Sequence, residues 1–320
     1  MTRFEWRGGP ATLRFESVLE PVELTHEEGD LWSAEVEMPA RLRVTYHFTD
    51  ADGEEHADPS NPAGAGPNRS VFSTPDLDPQ PHWPVVGPDE VLDVPSLRIR
   101  WNGTLGRRTV RVHQGGEPVV LLLDGDDWMY VHPLMAAFES AVKAGDMPAA
   151  TLVFLPTPRD RDAEYSSPAL WQAVQDELLP LLAENGVAVD PSRLVVAGQS
   201  LGGLSAFQAA LDFPSLVSRV ACQSGSFWYA RDLPGNGISL DGPAGGDTAA
   251  RLPGLDLSGL RVAFDAGEHE PRMHRHCSAV EELASAAGAT VRVNRSPAGH
   301  DRVGWRHALL RDVAWLIGDL

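Results

Sequence analysis

The stretch that most restricts what this chain can become is Leu194-Val195-Val196-Ala197-Gly198-Gln199-Ser200-Leu201-Gly202-Gly203. An apolar run stops at a Gly-x-Ser-x-Gly pentapeptide, and a helix-forming segment, 204–213, follows and is closed by Pro214. Strand, sharp turn and helix in that order are what a nucleophile elbow requires. Glycine on either side of the serine relieves crowding in so tight a turn. The serine hydroxyl then stands exposed at the end of the strand. The backbone N–H of Leu201, at the helix start, is placed to meet a developing oxyanion.

The rest of the chain supplies a sheet for such an elbow. Residues 119–123 form a continuous apolar run, the mark of a strand buried on both faces, and end at Asp124-Gly125-Asp126-Asp127-Trp128. Helical and strand patterns then alternate: helix 132–143, strand 150–155, helix 168–184, strand 193–197, the elbow helix and strand 219–223. A loop at 233–257 leads to strand 260–265, helix 274–286, strand 290–294 and a last helix at 304–317. Residues 94–101 and 107–113 read as an antiparallel pair turning at Asn102-Gly103. Alternation of this kind predicts a mostly parallel sheet covered on both faces. An elbow serine in such a sheet predicts an α/β-hydrolase fold.

Upstream, 11–17, 31–38 and 42–48 are β-rich, with a hairpin signal at Asp52-Gly53 and no helical segment, which predicts a small β-sandwich. A proline-rich stretch from Pro59 to Pro88 joins the two parts as a linker or a wrapped strap. The expected division is 1–84 for the N-terminal β-sandwich and linker, and 85–320 for the α/β-hydrolase domain.

Composition narrows the partners. A formal net charge of -19 over 320 residues argues against nucleic acid or an anionic membrane. Two cysteines exclude a disulfide framework. No stretch is long and apolar enough to cross a bilayer, and the first residues lack the apolar core of a signal peptide. A cytoplasmic protein acting on a small molecule is expected. Asp50-Ala51-Asp52-Gly53 resembles the start of a calcium loop but lacks the remaining ligands, so no metal and no cofactor are expected.

A serine nucleophile needs a base, and the base an orienting acid, in the chain order serine, acid, histidine for this fold. His300 lies in Ser296-Pro297-Ala298-Gly299-His300-Asp301, just past a predicted strand and before the last helix, and is the expected base. The acid belongs in Asp265-Ala266-Gly267-Glu268-His269-Glu270-Pro271. Glu270 leads there, furthest into the loop, with Glu268 and Asp265 as alternatives. The N–H of Asp126, after the flexible Gly125, is the natural second oxyanion donor.

With these residues in place the chain resembles the enterochelin (enterobactin) esterases, α/β-hydrolases related to the esterase D group. The resemblance rests on Gly198-Gln199-Ser200-Leu201-Gly202-Gly203-Leu204, on Gln223-Ser224-Gly225-Ser226-Phe227-Trp228, and on Leu122-Leu123-Asp124-Gly125 with Trp128. Trp171 to Pro180, Ala266-Gly267 with Glu270-Pro271, and Gly299-His300-Asp301 with Trp305 extend it. Asp58-Pro59-Ser60-Asn61-Pro62 is similar to the family's small N-terminal sandwich.

The resemblance implies a serine esterase that hydrolyses lactone esters of a catecholate siderophore, often loaded with ferric iron. The family's arginine and glutamate segment maps onto Arg161 and Glu164. A trianionic ferric catecholate calls for local positive charge. Arg161 and Arg272 are the expected substrate contacts, with Arg159, His274, Arg275 and His276 nearby in sequence. Trp128, Phe227 and Trp228 are candidate stacking partners for catechol rings. Two other readings stay open: a carboxylester hydrolase or acyltransferase for aryl or feruloyl esters, and a non-catalytic glycan-binding protein.

Overall fold

The computed structural model describes residues 1–85, 87, 95–231 and 240–318, with the side chain of His307 excepted. Pro88, Val94 and the 233–239 part of the predicted loop lie outside the described residues.

Two sheets form the N-terminal part. One contains β1 (Thr2–Arg7), β4 (Thr25–His26) and β5 (Leu31–Val36). The other contains β2 (Ala11–Phe15), β3 (Val22–Glu23), β6 (Arg43–Asp50) and β7 (Glu55–His56), and β8 (Ser70–Ser73) also pairs with β6. Both sheets contribute to one apolar core: Phe4 and Val36 from the first meet Leu13, Tyr46 and Phe48 from the second. The chain then runs as a strap. Trp83 packs on Trp128, His82 reaches the Asp146 carboxylate at 2.8 Å, and Gln80 accepts from Arg306 Nε at 2.7 Å. Of the two forms expected for the proline-rich stretch, the wrapped strap is the one seen.

The second part is built on one sheet of eight strands: β9 (Leu97–Gly103), β10 (Gly106–His113), β11 (Val119–Leu122), β12 (Thr151–Phe154), β13 (Val195–Gln199), β14 (Arg219–Gln223), β15 (Arg261–Gly267) and β16 (Thr290–Ser296). Their spatial order is β16-β15-β14-β13-β11-β12-β10-β9. The six from β16 to β12 run parallel, and β10 and β9 are antiparallel at one edge. This is an α/β-hydrolase fold with an N-terminal sheet domain. The apolar runs follow from period-two geometry. In β11, Val119 and Leu121 enter the core on one face, while Val120 and Leu122 enter the core on the other. Each fully buried side chain of this size contributes roughly 1.5–3 kcal/mol.

Helices close both faces. α1 (Leu134–Ala144) and α8 (Arg302–Ile317) cover one. The other is covered by α2 (Arg161–Tyr165), α3 (Ala169–Ala173), α4 (Leu179–Glu184), α5 (Leu201–Asp212), α6 (Gly246–Arg251) and α7 (Pro271–Ala286).

The β9–β10 hairpin turns later than its sequence indicates. Asn102 pairs with Arg107 and Gly103 with Gly106, so the turn is at Thr104-Leu105. Gly103 is small for packing: a Cβ there would lie 2.6 Å from the Trp101 indole nitrogen. Glu177 accepts the N–H of Thr104 and the indole N–H of Trp101.

One polar pair lies inside this layer. Asp265 within β15 and Asp312 on α8 are both buried, and one oxygen of each has no hydrogen-bond partner. Burial, then the neighbouring Asp312 carboxyl, push Asp265 up, and burial raises Asp312 to about 7. The folded state therefore holds protons that the unfolded chain releases near the ordinary carboxylate range. Stability from this pair is full below that range and is lost as pH rises towards 7. Asp312→Asn should flatten the decline in Tm between pH 5 and 8. An unchanged pH profile would show that the pair is not titrating in that window.

Candidate active site

The elbow places Ser200 at a backbone conformation few L-residues adopt, with φ 55 and ψ -121. Gly198 is required there, because a Cβ would lie 2.2 Å from the Gly202 carbonyl oxygen. The downstream glycine that is crowded is Gly203, whose Cβ would meet the Gly225 backbone at 3.1 Å. At Gly202 the nearest atom would be 3.4 Å away, so the expectation of tightness on both sides holds on one side only.

Three loops at the C-terminal ends of parallel strands converge on this serine. Ser200 follows β13, Glu270 lies between β15 and α7, and His300 lies between β16 and α8. Ser200 Oγ is 3.0 Å from His300 Nε2, and His300 Nδ1 is 2.6 Å from Glu270 Oε1. With Nδ1–H donating to the carboxylate, Nε2 is left to accept from the serine. Glu270 also accepts from Ser224 Oγ at 2.6 Å and from the Gly267 N–H at 2.7 Å. Burial pushes Glu270 up, but His300, Ser224 and Gly267 outweigh it and hold the carboxyl below its ordinary value. The His300 ring stands edge-on to Trp305 at 4.8 Å, and the Trp305 indole donates to Ser224 at 2.8 Å.

The other acids considered point elsewhere. Asp265 accepts from Ser296 at 2.7 Å, and Glu268 pairs with Arg41 at 3.1 Å. Asp301, adjacent to His300, caps α8 through the Val303 N–H and accepts the Thr45 N–H at 2.6 Å, tying the histidine loop to β6.

Two cavities flank Ser200. One, of about 430 Å³, is walled by Glu16, Arg69, Asp127, Arg161, Arg302 and Trp305, among others. The other, of about 390 Å³, is more apolar, with Val18, Trp228, Leu240, Pro271 and Met273 beside Arg272. Both take residues from the N-terminal sheets. Val18 has φ 76, a strained value for a β-branched residue, and the Ser17–Val18 turn packs so closely on Gly299 that a Cβ there would lie 2.4 Å from Ser17 Oγ.

Several expected substrate contacts require correction. Trp128 is fully buried, with its indole donating to Gln199 Oε1 at 3.0 Å, so no ring can stack on it. Phe227 is likewise core. Arg161 does line the first cavity, but its fork grips Asp124 at 2.6 and 2.9 Å and its Nη2 donates to the Gln199 carbonyl. Glu164 pairs with Arg108, on β10. His276 is buried between Leu240 and Gly245. Trp228 and Arg272 line the second cavity, as their loops allowed.

Arg69 and Arg302 also reach the first cavity, and no motif in the sequence points to either. Their only sequence signal is position: Arg302 is two residues past His300, and nothing in the run around Arg69 marks it.

With the geometry in view, comparison with known proteins decides the family. The model of the family described as putative esterase matches residues 103–316. This chain belongs to that esterase family. It is 36% identical over 215 residues to the iron(III) enterobactin esterase of Dickeya dadantii, covering 62% of this chain and 48% of that relative. The chain thus spans about half the length of that relative. To the iron(III) enterobactin esterase of Escherichia coli K12 it is 29% identical over 302 residues, 89% of this chain and 72% of the relative. The crystal structure of the Shigella flexneri enterobactin esterase with 2,3-dihydroxy-N-benzoyl-glycine superposes with a TM-score of 0.83 at 26% identity, covering 99% of this chain and 93% of that one.

Two outcomes follow for this esterase-family site. Glu270→Gln should cut kcat at least roughly a hundredfold with little change in KM, whereas Glu268→Gln should leave kcat within about twofold. Arg161→Ala should impair turnover of a small neutral ester as well as of a large substrate, because Arg161 braces Asp124 and the Gln199 carbonyl beside Ser200. Loss confined to an anionic substrate would instead assign Arg161 to substrate binding.

Proposed function

We propose that this chain is a serine carboxylic-ester hydrolase that opens the trilactone esters of a catecholate siderophore such as enterobactin, for intracellular iron release. The observation that carries the hydrolase reading is the continuous hydrogen-bonded line from Ser200 through His300 to Glu270 at the mouth of two cavities. The relatives named above support the substrate class.

In this reading Ser200 Oγ attacks the ester carbonyl while His300 Nε2 takes its proton. Glu270 keeps the ring oriented and stabilises the imidazolium. The backbone N–H groups of Leu201 and Asp126 receive the oxyanion, each such donor contributing about 2.7–4 kcal/mol in comparable sites. Collapse of the tetrahedral intermediate expels the serine hydroxyl of the siderophore backbone, which takes the His300 proton. Water then repeats the sequence on the acyl-enzyme and releases the acid. Each turn breaks one ester bond and consumes one water.

Ser200→Ala should leave the thermal melt nearly unchanged and reduce hydrolysis of enterobactin below about a thousandth of the parent rate. A fluorophosphonate should label the parent and not the variant. Substantial residual hydrolysis would remove Ser200 from the nucleophile role. Rapid turnover of neutral aryl esters with none of enterobactin would favour the general esterase reading.

A further inference from the structure

Glu270 accepts three hydrogen bonds, and they are divided unequally between its two oxygens. Oε1 faces His300 Nδ1 at 2.6 Å. Oε2 takes both the Ser224 hydroxyl at 2.6 Å and the Gly267 N–H at 2.7 Å. One oxygen is thus anchored by two donors, and the other is left to the histidine. The carboxylate cannot turn without breaking a bond at Oε2.

A serine hydroxyl both donates and accepts, so its proton has to be directed. At Ser224 the direction is set from the far side. The Trp305 indole N–H can only donate, and it donates to Ser224 Oγ at 2.8 Å. The Ser224 proton is left for Glu270. Ser224, Trp305 and Glu270 are all buried, so bulk water does not compete for these bonds. The backbone is held as firmly. Ser224 stands at φ 44, in the left-handed region, with its N–H on the Asp265 carbonyl at 2.7 Å. The Trp305 carbonyl accepts from Gln223 Nε2 at 2.8 Å, and Gln199 Nε2 donates to Gln223 Oε1 at 2.9 Å. These two glutamines, each just ahead of a serine, tie the ends of β13 and β14 to α8. The Trp305 ring also lies edge-on to His300 at 4.8 Å. One tryptophan therefore meets His300 directly and Glu270 through Ser224.

Resting on the hydrolase reading above, we propose that Ser224 is the positioning residue of the acid Glu270, and that the Trp305 indole directs its hydroxyl. Neither residue takes part in a covalent step. Donors to a carboxylate favour its charged form, and a bond accepted by Ser224 strengthens the one it gives. Oε1 then keeps the His300 proton on Nδ1 and leaves Nε2 to take the proton of Ser200.

The test measures kcat and KM of the full chain for enterobactin and for p-nitrophenyl acetate. Ser224→Ala should lower kcat about tenfold on both esters with KM within about twofold, the scale of one lost hydrogen bond to a charged group. Trp305→Phe keeps an aromatic ring and removes the indole N–H, and should lower kcat several-fold in the same way. The double variant should be no slower than Ser224→Ala alone, because Trp305 acts through the hydroxyl. Losses that multiply in the double variant would make Trp305 a packing residue and overturn the proposal. So would a rise in KM confined to enterobactin, which would make Trp305 a substrate contact. Should Trp305→Phe fold poorly, Ser224→Ala labelled with 15N-tryptophan tests the same link. One of the nine indole N–H resonances should move upfield in it, and nine unmoved resonances overturn the proposal. Parent-like kcat in Ser224→Ala, with hydrolysis lost in Ser200→Ala, sinks this proposal alone. Hydrolysis retained in Ser200→Ala sinks the hydrolase reading and the proposal with it.

Discussion

Much of this molecule is arranged to hold one residue in an unfavourable backbone conformation. At φ 55 and ψ -121, Ser200 costs on the order of 1–3 kcal/mol relative to a relaxed residue. The surroundings over-determine it. Its N–H donates to the Gln223 carbonyl at 2.9 Å, and its own carbonyl accepts from Leu204 and Ser226 at 3.0 Å each. Gly198 lets the strand end lie directly on the first turn of α5. The strain leaves Oγ standing off the strand end, within reach of His300 and of Ser226 Oγ at 3.2 Å. The parallel sheet supplies the rigidity, since β13 has neighbours on both sides.

The same chain segment shows how environment assigns roles to similar groups. Asp265 and Glu270 lie five positions apart, both deeply buried. Glu270 accepts from His300, Ser224 and Gly267 and is held as an anion. Asp265 accepts one hydroxyl, from Ser296, and has the Asp312 carboxyl close enough to oppose its ionisation. One carboxyl can therefore stabilise an imidazolium, and the other is kept towards its neutral form. Apart from the Gly267 N–H, the difference is made by Ser224, Ser296, His300 and Asp312, none of which is local in sequence.

The same contrast between local pattern and distant neighbours separates what is legible in the sequence from what is not. The elbow, the apolar strands and the loops bearing Glu270 and His300 are legible because period-two and helical patterns are local, and strand order then places the loops. Trp128 is not, because a tryptophan after a strand has the same local signature whether it faces a cleft or Gln199. The loop that carries Arg161 locates it at the site, but its pairing with Asp124 depends on two loops meeting. Arg69 leaves no signature, because what brings it to the wall beside Arg302 is the packing of the N-terminal part on the His300 loop. The β9–β10 hairpin turns at Thr104-Leu105 rather than at the strong Asn-Gly signal, and Gly103 instead lies in the strand against the Glu177 carboxylate and the Trp101 indole.

The docking of those sheets bears directly on the histidine. Asp301 is adjacent to His300 in sequence and has both carboxylate oxygens on Thr45, one at 2.6 Å from its N–H and one at 3.0 Å from its hydroxyl. Two residues earlier, Gly299 lies against Ser17, and the Pro297 carbonyl accepts the Arg43 N–H at 2.8 Å. The loop that must present Nε2 to Ser200 is thus gripped along its length by β6 and the turn after β2. A base must be held in a narrow range of positions to act, and loss of about an ångström of placement can cost a hundredfold in rate. A proline-rich boundary near residue 84 marks where the sequence pattern changes, yet the contacts that hold the His300 loop cross it. The N-terminal part reaches the Ser200–His300–Glu270 line in two senses, as wall of both cavities and as the clamp on the loop that carries His300.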